Sequence, residues 1–192
     1  MTITVVTWNI MDDHKDPVGA VEVALNMGAH VLCLQEVHRE ALSFLYQLSA
    51  DYHVATILDA STKGQESYLV TLVHKSIKVL RRRKILHQHT FRKPWCTKHL
   101  KWTECLGSLS ILVRVKGKKV RILNCHAPLL SSILERRKIV DRIFHTHRCK
   151  NPLVVCADLN MIGYPVFNAT VGQFFGVTLS EILMDEDREV DR

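Results

Sequence analysis

The chain has 192 residues, of which 47% are hydrophobic, and a formal net charge of +7. This length suits one substantial domain, and the hydrophobic fraction predicts a buried core rather than disorder. No apolar run reaches the roughly 18–20 residues that cross a bilayer. The excess of basic residues favours a polyanionic partner, because lysine and arginine neutralise phosphate charge and release counterions.

The cysteines and the first residues indicate the cellular compartment of the protein. Residues 1–6 have no basic lead-in and no small-residue cleavage site, so they do not resemble a signal peptide. Three of the six cysteines, Cys33, Cys125 and Cys156, are embedded in apolar runs, where small buried core residues are expected. Reduced thiols and an intracellular protein, cytosolic or nuclear, are therefore predicted.

Short β-rich runs alternate with helical stretches in the first part of the chain, which favours an α/β domain. Asp16 and Pro17 form a helix start, with aspartate as the cap and proline at the first helical position, and Gly28 marks its end. The predicted elements are a strand at 3–8, a helix from 16 to about 27, a strand at 31–34 and a helix at 40–48.

The middle of the chain is richer in strands. The turn at 116–119 contains glycine between two apolar runs and predicts a hairpin. The predicted elements are strands at 52–58, 68–73 and 77–85, the hairpin strands 109–115 and 120–125, a helix at 132–147, a strand at 153–157 and short helical turns within 164–184.

Four apolar runs end in polar groups that can bind a ligand. Since ligand sites gather where the carboxyl ends of central strands meet, these groups are expected in one cleft. Two carboxylates, two amides and one imidazole suit magnesium, which is typically held by one or two carboxylates plus phosphate oxygens. The residues are Asn9, Glu36, His126, Asp158 and Asn160.

Three of these groups have a task of their own in phosphoester hydrolysis. Asp158 can orient an attacking water, Asn160 can donate to a phosphoryl oxygen, and His126 can donate to the transition state. Taken alone, an Asn or Asp after a strand is usually a turn signal, and a lone histidine is usually structural. The interpretation as a site depends on their joint occurrence on four separate strands.

The order of these motifs resembles the endonuclease/exonuclease/phosphatase superfamily. The resemblance covers about residues 3 to 160 and is nearest to the tyrosyl-DNA phosphodiesterase or deoxyribonuclease-like branches. It implies an α/β fold, a sandwich of two packed mixed β-sheets flanked by helices, as in deoxyribonuclease I. The motifs are Thr7-Trp8-Asn9-Ile10, Leu34-Gln35-Glu36-Val37, Asn124-Cys125-His126-Ala127-Pro128 and Ala157-Asp158-Leu159-Asn160.

The resemblance also implies a role for each site residue. Glu36 would be the principal metal ligand, and Asn9 would sit beside it and support the metal or the phosphate. His126 would bind the scissile phosphate, Asp158 would position the attacking water, and Asn160 would contact a phosphoryl oxygen. The implied cofactor is Mg²⁺, with Mn²⁺ as a possible substitute.

The end of the sequence departs from this pattern. The superfamily usually ends with a Ser-Asp-His motif that completes the acid/base machinery, whereas no histidine follows Asn160 here. We therefore expect residues 1–192 to form a single domain that lacks its final strands, with a fold incomplete at the C-terminus. The absence of the presumed base would lower catalysis by several orders of magnitude.

Two basic segments are candidates for contacts with nucleic acid. Segment 90–102 interleaves aromatic and basic residues, including Arg92, Lys93 and Trp95, in the manner of single-strand binding. A loop that packs its tryptophans on the sheet remains an equal alternative. Arg136, which follows the histidine motif, is a further candidate. The run 81–84 could grip phosphates or act as a localisation signal, but an alternating strand directs its charges to two faces.

The leading functional prediction is Mg²⁺-dependent phosphodiester hydrolysis by a nuclease or a DNA or RNA end-processing phosphodiesterase. One alternative is a phosphatase of the same fold that acts on inositol phosphates, other phosphorylated small molecules or lipid head groups. The other alternative is an inactive, truncated relative that serves as a binding module.

Overall fold

A computed structural model describes residues 2–10, 15–62, 65–86, 102–104, 107–127, 133–148 and 150–159. The strands are β1 Val5–Asn9, β2 Val31–His38, β3 Tyr52–Thr62, β4 Gln65–His74, β5 Lys78–Leu86, β6 Trp102–Glu104, β7 Gly107–Val115, β8 Lys118–His126 and β9 Leu153–Asp158. The helices are α1 Pro17–Asn26, α2 Arg39–Gln47 and α3 Ile133–His147, with a short 3₁₀ helix at Leu48–Ala50.

The strands form two mixed sheets. Sheet A has the order β1-β2-β4-β3-β6, and sheet B has the order β5-β7-β8-β9. Each sheet contains one parallel pair, β1 with β2 and β8 with β9, while the remaining pairs are antiparallel. A parallel pair needs a crossover connection, and α1 and α3 supply these two crossovers. The predicted α/β sandwich of two mixed sheets flanked by helices is confirmed.

Apolar side chains fill three layers. The central layer lies between the sheets and includes Cys33, Leu69, Ile111 and Cys156. Helices α1 and α2 pack on the outer face of sheet A, and α3 packs on the outer face of sheet B through residues such as Ile143. The expectation that Cys33, Cys125 and Cys156 occupy buried positions is confirmed.

Local sequence signals account for the element boundaries. The Asp16 carboxylate accepts a 2.9 Å hydrogen bond from the Gly19 amide and caps α1, while Gly28 follows the helix with a φ of +69°. The β7–β8 hairpin turns through Lys116 and Gly117 at φ +47° and +78°, as expected of a two-residue hairpin turn. Strand β6 was not predicted, and the helical turns predicted within 164–184 lie outside the described residues.

Two irregularities in sheet A meet at one place. The register of β2 against β4 shifts between Leu34 and Val37, and that of β3 against β4 shifts between Leu58 and Ala60. Both shifts occur where the neighbouring strands pair with Tyr68 of β4, since Tyr68 pairs with Val37 on one side and Leu58 on the other. Bulges of this kind re-aim side chains and are frequent beside functional sites.

Candidate active site at one end of the sandwich

The end of β1, the end of β9 and the bulge of β2 meet at one end of the sandwich. Asn9 joins them, because its side-chain Nδ2 donates to Glu36 Oε1 at 3.0 Å and to Asp158 Oδ2 at 2.7 Å. Glu36 has a φ of +52°, which is unfavourable for a residue with a side chain. Such strain persists where surrounding structure over-determines it, and here it directs a carboxylate toward Asn9.

His126 at the end of β8 completes the cluster. Its Nε2 lies 3.4 Å from Glu36 Oε1, and its Nδ1 lies 2.7 Å from Asp59 Oδ2. The structure thus brings together four of the five predicted site residues from four different strands. The fifth, Asn160, lies outside the described residues.

The predicted nucleic-acid contacts are not positioned by the described part of the chain. Arg92, Lys93 and Trp95 lie outside the described residues. Arg136 belongs to α3, but its side chain is also outside the described set. Their assignments therefore remain predictions from sequence.

The carboxylates around His126 determine its charge. Burial lowers the pKa of this histidine, but the hydrogen bond that its Nδ1 donates to Asp59 and the charges of Asp59, Glu36 and Asp158 outweigh burial and raise the pKa to about 9. The imidazole is therefore positively charged at neutral pH and presents an N–H on both ring nitrogens. Such a group can donate to an anionic phosphate, but it cannot accept a proton from water until the pH is well above neutral.

Asp59 is the site residue that sequence reasoning missed. It lies at the bulge of β3, it is 5% exposed, and it holds Nδ1 of His126. The predicted strand ends at residue 58, so the aspartate directly after it belongs to no predicted element. A buried carboxylate needs a partner, but its burial here depends on pairing with β4, which the local sequence does not reveal.

A buried amide network lies behind the site. Asn124 of β8 donates through Nδ2 to the carbonyl oxygens of Leu34 at 3.1 Å and Val70 at 2.9 Å. Leu34 and Val70 are the last regularly paired residues before the β2 bulge. The Asn124 side chain of sheet B therefore satisfies backbone carbonyl oxygens at the point where the hydrogen-bond ladder of sheet A is interrupted. Gln35 in turn donates to Asn124 Oδ1 at 2.8 Å, which ties the bulge to both sheets.

The donors at the site fit magnesium better than a softer metal. Glu36, Asp158 and the side-chain oxygen of Asn9 are hard ligands, and magnesium commonly takes only one or two carboxylates while water and substrate fill its remaining positions. Within the described ranges, no group of three or more His, Cys, Asp or Glu residues is arranged to hold a metal ion. A zinc-type ligand set is therefore not found in that part of the chain.

Comparison with known proteins shows which fold this is. Neither a protein-family model nor a curated protein matches the chain. Among solved structures, TDP2 from Caenorhabditis elegans matches with a TM-score of 0.58 and 21% identity over 83% of this chain and 48% of that chain. TDP2 from D. rerio complexed with a single-strand DNA product matches with a TM-score of 0.61 and 16% identity over 88% and 64% of the two chains.

A bacterial structure matches equally well. The mannosyl-6-phosphatase of Bacteroides thetaiotaomicron has a TM-score of 0.62 and 12% identity over 90% of this chain and 71% of that chain. At such identities the likeness shows the fold alone. The chain spans about half the length of C. elegans TDP2. Within the part that the structure describes, no helix is long and apolar enough to cross a membrane.

Proposed function

Because the chain has the fold of the endonuclease/exonuclease/phosphatase superfamily, we propose that its cleft hydrolyses phosphodiester bonds in nucleic acid with the help of Mg²⁺. The observation that carries the proposal is the Asn9 side chain hydrogen-bonded to both Glu36 and Asp158, with the imidazole of His126 lying 3.4 Å from Glu36. Phosphodiesterases and phosphatases share this fold, which supports phosphoester hydrolysis as the reaction class.

Each side chain has a task in this reaction. Glu36, with the side-chain oxygen of Asn9, would hold the metal ion, which when bound neutralises charge on a phosphate oxygen. The charged His126 would donate an N–H to a non-bridging oxygen and stabilise the charge that develops there. Asp158, held by Asn9, would orient the attacking water.

Two further side chains support this arrangement. Asp59 would keep the imidazole of His126 both charged and oriented, since it accepts from Nδ1 and leaves Nε2 directed toward the cleft. Asn160 would contact a phosphoryl oxygen as the sequence motif suggests. The nucleic-acid substrate would be bound by the candidates from the sequence, which are Arg92, Lys93, Trp95 and Arg136. The proposed compartment is the cytosol or nucleus.

Replacement of the carboxylate tests the proposal directly. We expect Glu36→Gln to abolish Mg²⁺ binding measured by calorimetry and to lower cleavage of a labelled single-stranded DNA by about 100-fold or more. The matched control is Glu40→Gln, four residues on, whose side chain is 77% exposed and outside the cleft. If Glu36→Gln binds Mg²⁺ and cleaves like the wild type, the proposal is wrong.

A second candidate function is removal of phosphate from a small molecule, for which a mannosyl-6-phosphatase of the same fold provides the precedent. Competition between single-stranded DNA and inositol phosphates for the cleft separates the two candidates, since a small-molecule phosphatase would prefer the latter. A chain that binds DNA and cleaves neither substrate would instead be the inactive binding module.

A further inference from the structure

The outer face of sheet B carries rows of basic residues. Arg83 of β5 pairs with Ser110, which pairs with Leu123, and Leu123 packs on α3. Arg83 therefore lies on the α3 side of the sheet, and strand alternation places Arg81 on the same side. Lys78, Arg114 and Lys119 form a further row directly across three adjacent strands. We call these five residues the basic face.

The remaining two cations of the run 81–84 lie on the other side of the sheet. Arg82 pairs with Ile111 and Lys84 with Leu109, both of which belong to the core between the sheets. Consistent with this direction, Arg82 Nη1 donates to the carbonyl oxygen of Val54 on β3 of sheet A at 3.4 Å. The run therefore divides its four charges equally between two faces.

The charges of the basic face are not neutralised within the described residues. All five side chains are exposed, and no carboxylate of the described ranges forms an ion pair with any of them. Like charges directly opposite one another on a sheet repel and lower stability. Lys78, Arg114 and Lys119 form such a row of three, and an anion that spans the row would relieve the repulsion.

The basic face is remote from the cleft. Lys119 and His126 are seven positions apart on β8, which corresponds to about 23 Å along an extended strand. The part of the same sheet face nearer the cleft is covered by α3, whose Ile139 and Ile143 pack on Leu123 and Cys125. The basic face is thus a separate surface, and the hydrolytic residues do not contribute to it.

We propose that the basic face binds the phosphate backbone of nucleic acid outside the catalytic cleft. Successive residues on one face of a strand are about 6.7 Å apart, and the phosphates of one DNA strand advance about 3.4 Å per nucleotide. The spacing of Arg81 and Arg83 therefore corresponds to two nucleotide steps along the axis of a duplex, and the row of Lys78, Arg114 and Lys119 extends the positive charge across three strands. The contacts are to charge alone, so the binding is independent of base sequence.

The inference does not depend on the hydrolytic function proposed above. If the cleft acted on a small phosphate ester, the basic face would still attract a polyanion. Conversely, loss of cleavage in Glu36→Gln leaves this surface intact. Failure of one proposal is therefore distinguishable from failure of the other.

Two double variants of the same strand provide the test. Arg81→Ser with Arg83→Ser removes two charges from the basic face, and Arg82→Ser with Lys84→Ser removes two charges from the opposite face. Affinity for a labelled DNA duplex is measured by fluorescence anisotropy across a salt series in EDTA, so that no cleavage occurs. Urea denaturation checks that both variants are folded.

We expect the first double variant to lose about tenfold in affinity and to reduce the salt slope by about 1.8, because each phosphate contact contributes about 0.9. The second double variant should keep most of the affinity and the slope. Arg114→Ser with Lys119→Ser, on neighbouring strands, should reproduce the first result and covers the case in which changes in β5 impair folding.

Three outcomes would overturn the inference. Equal loss in the two β5 variants would mean that only the net charge matters. No loss in either the β5 or the Arg114/Lys119 variant of the basic face would mean that the face is not used. Tighter, face-dependent binding to vesicles of anionic phospholipid than to DNA would assign the surface to a membrane.

Discussion

The two sheets contribute to the cleft in different ways. Sheet B supplies His126 and Asp158 from adjacent strand ends, where the two residues are paired in a regular parallel ladder. Sheet A supplies Asn9 from the end of β1, but it supplies Glu36 and Asp59 from bulges within strands that continue, and both bulges lie beside Tyr68 of β4. In a regular ladder, a side chain reaches the cleft because its strand ends there. At a bulge, a side chain reaches the cleft because the pairing is interrupted, although the strand continues.

The bulge of β2 in sheet A depends on a side chain from sheet B, and Asn124 is the residue to replace. Asn124→Leu leaves the carbonyl oxygens of Leu34 and Val70 without its amide and removes the acceptor of Gln35. We expect the free energy of unfolding in urea to fall by about 3 kcal/mol, because buried polar groups are left unpaired. Asn26→Leu, at an exposed position of α1, is the control and should change it by less than about 0.5 kcal/mol. An equal effect of the two changes would show that the amide network is dispensable.

Sheet B also depends on sheet A, because Asp59 on sheet A raises the pKa of His126 on sheet B. The pKa of His126 in the folded protein, about 9, exceeds its ordinary value of 6.5, so the protonated histidine stabilises the fold. This stabilisation is complete below about pH 6.5 and disappears as the pH rises to about 9. In Asp59→Asn we expect a lower pKa for His126 by NMR titration and a smaller loss of stability over that window, both measured without divalent ions. The same pH dependence in both proteins would contradict the role of Asp59.

The bulge at Glu36 stores strain that can be measured. Glu36→Asn and Glu36→Val both remove the carboxylate, but only asparagine tolerates a positive φ well, and the φ of Glu36 is +52°. We expect the valine variant to be less stable than the asparagine variant by about 1 kcal/mol in urea denaturation. Equal stabilities would indicate that the bulge relaxes once the carboxylate is gone. Both variants lose the carboxylate, and the cost of the positive φ enters their difference in stability.

The smallest expected effect concerns the edge of sheet B. Burial lowers the pKa of His53 on β3, and the positive charges of Arg82 and Lys75 lower it further. Arg82→Gln should therefore raise the pKa of His53 in an NMR titration, whereas Lys84→Gln on the same strand should leave it unchanged. A reversed result would mean that Arg82 does not face sheet A.

How far the sequence predicted the site follows the division between strand ends and bulges. Asn9, His126 and Asp158 end regular strands, and an apolar run followed by a polar residue is visible locally. Glu36 was identified by the same rule, although β2 continues to His38 and the residue lies in its bulge. Asp59 was not predicted as a site residue, because the position of a bulge is determined by the register against a neighbouring strand and by contacts distant in sequence.

The fold was predicted more completely than the site. Strands β1 to β5 and β7 to β9 and the helices were indicated by alternation, by the caps at Asp16 and Gly28, and by the glycine turn at Gly117. Their arrangement into two sheets came from the resemblance rather than from any local pattern. The three-residue strand β6 was missed because its pairing with β3 depends on position rather than on its own composition.

The bond between Asn9 and Asp158 joins residues 149 positions apart, and this separation has a consequence for biosynthesis. At the usual translation rates, roughly 7 to 30 s pass between the synthesis of the two residues. During that interval Asn9 and Glu36 have been made, but the β9 carboxylate that shares their amide does not yet exist. The cluster of site residues is therefore completed late in synthesis. Strands β1 and β2 exist before β9, which is made only after most of the described chain.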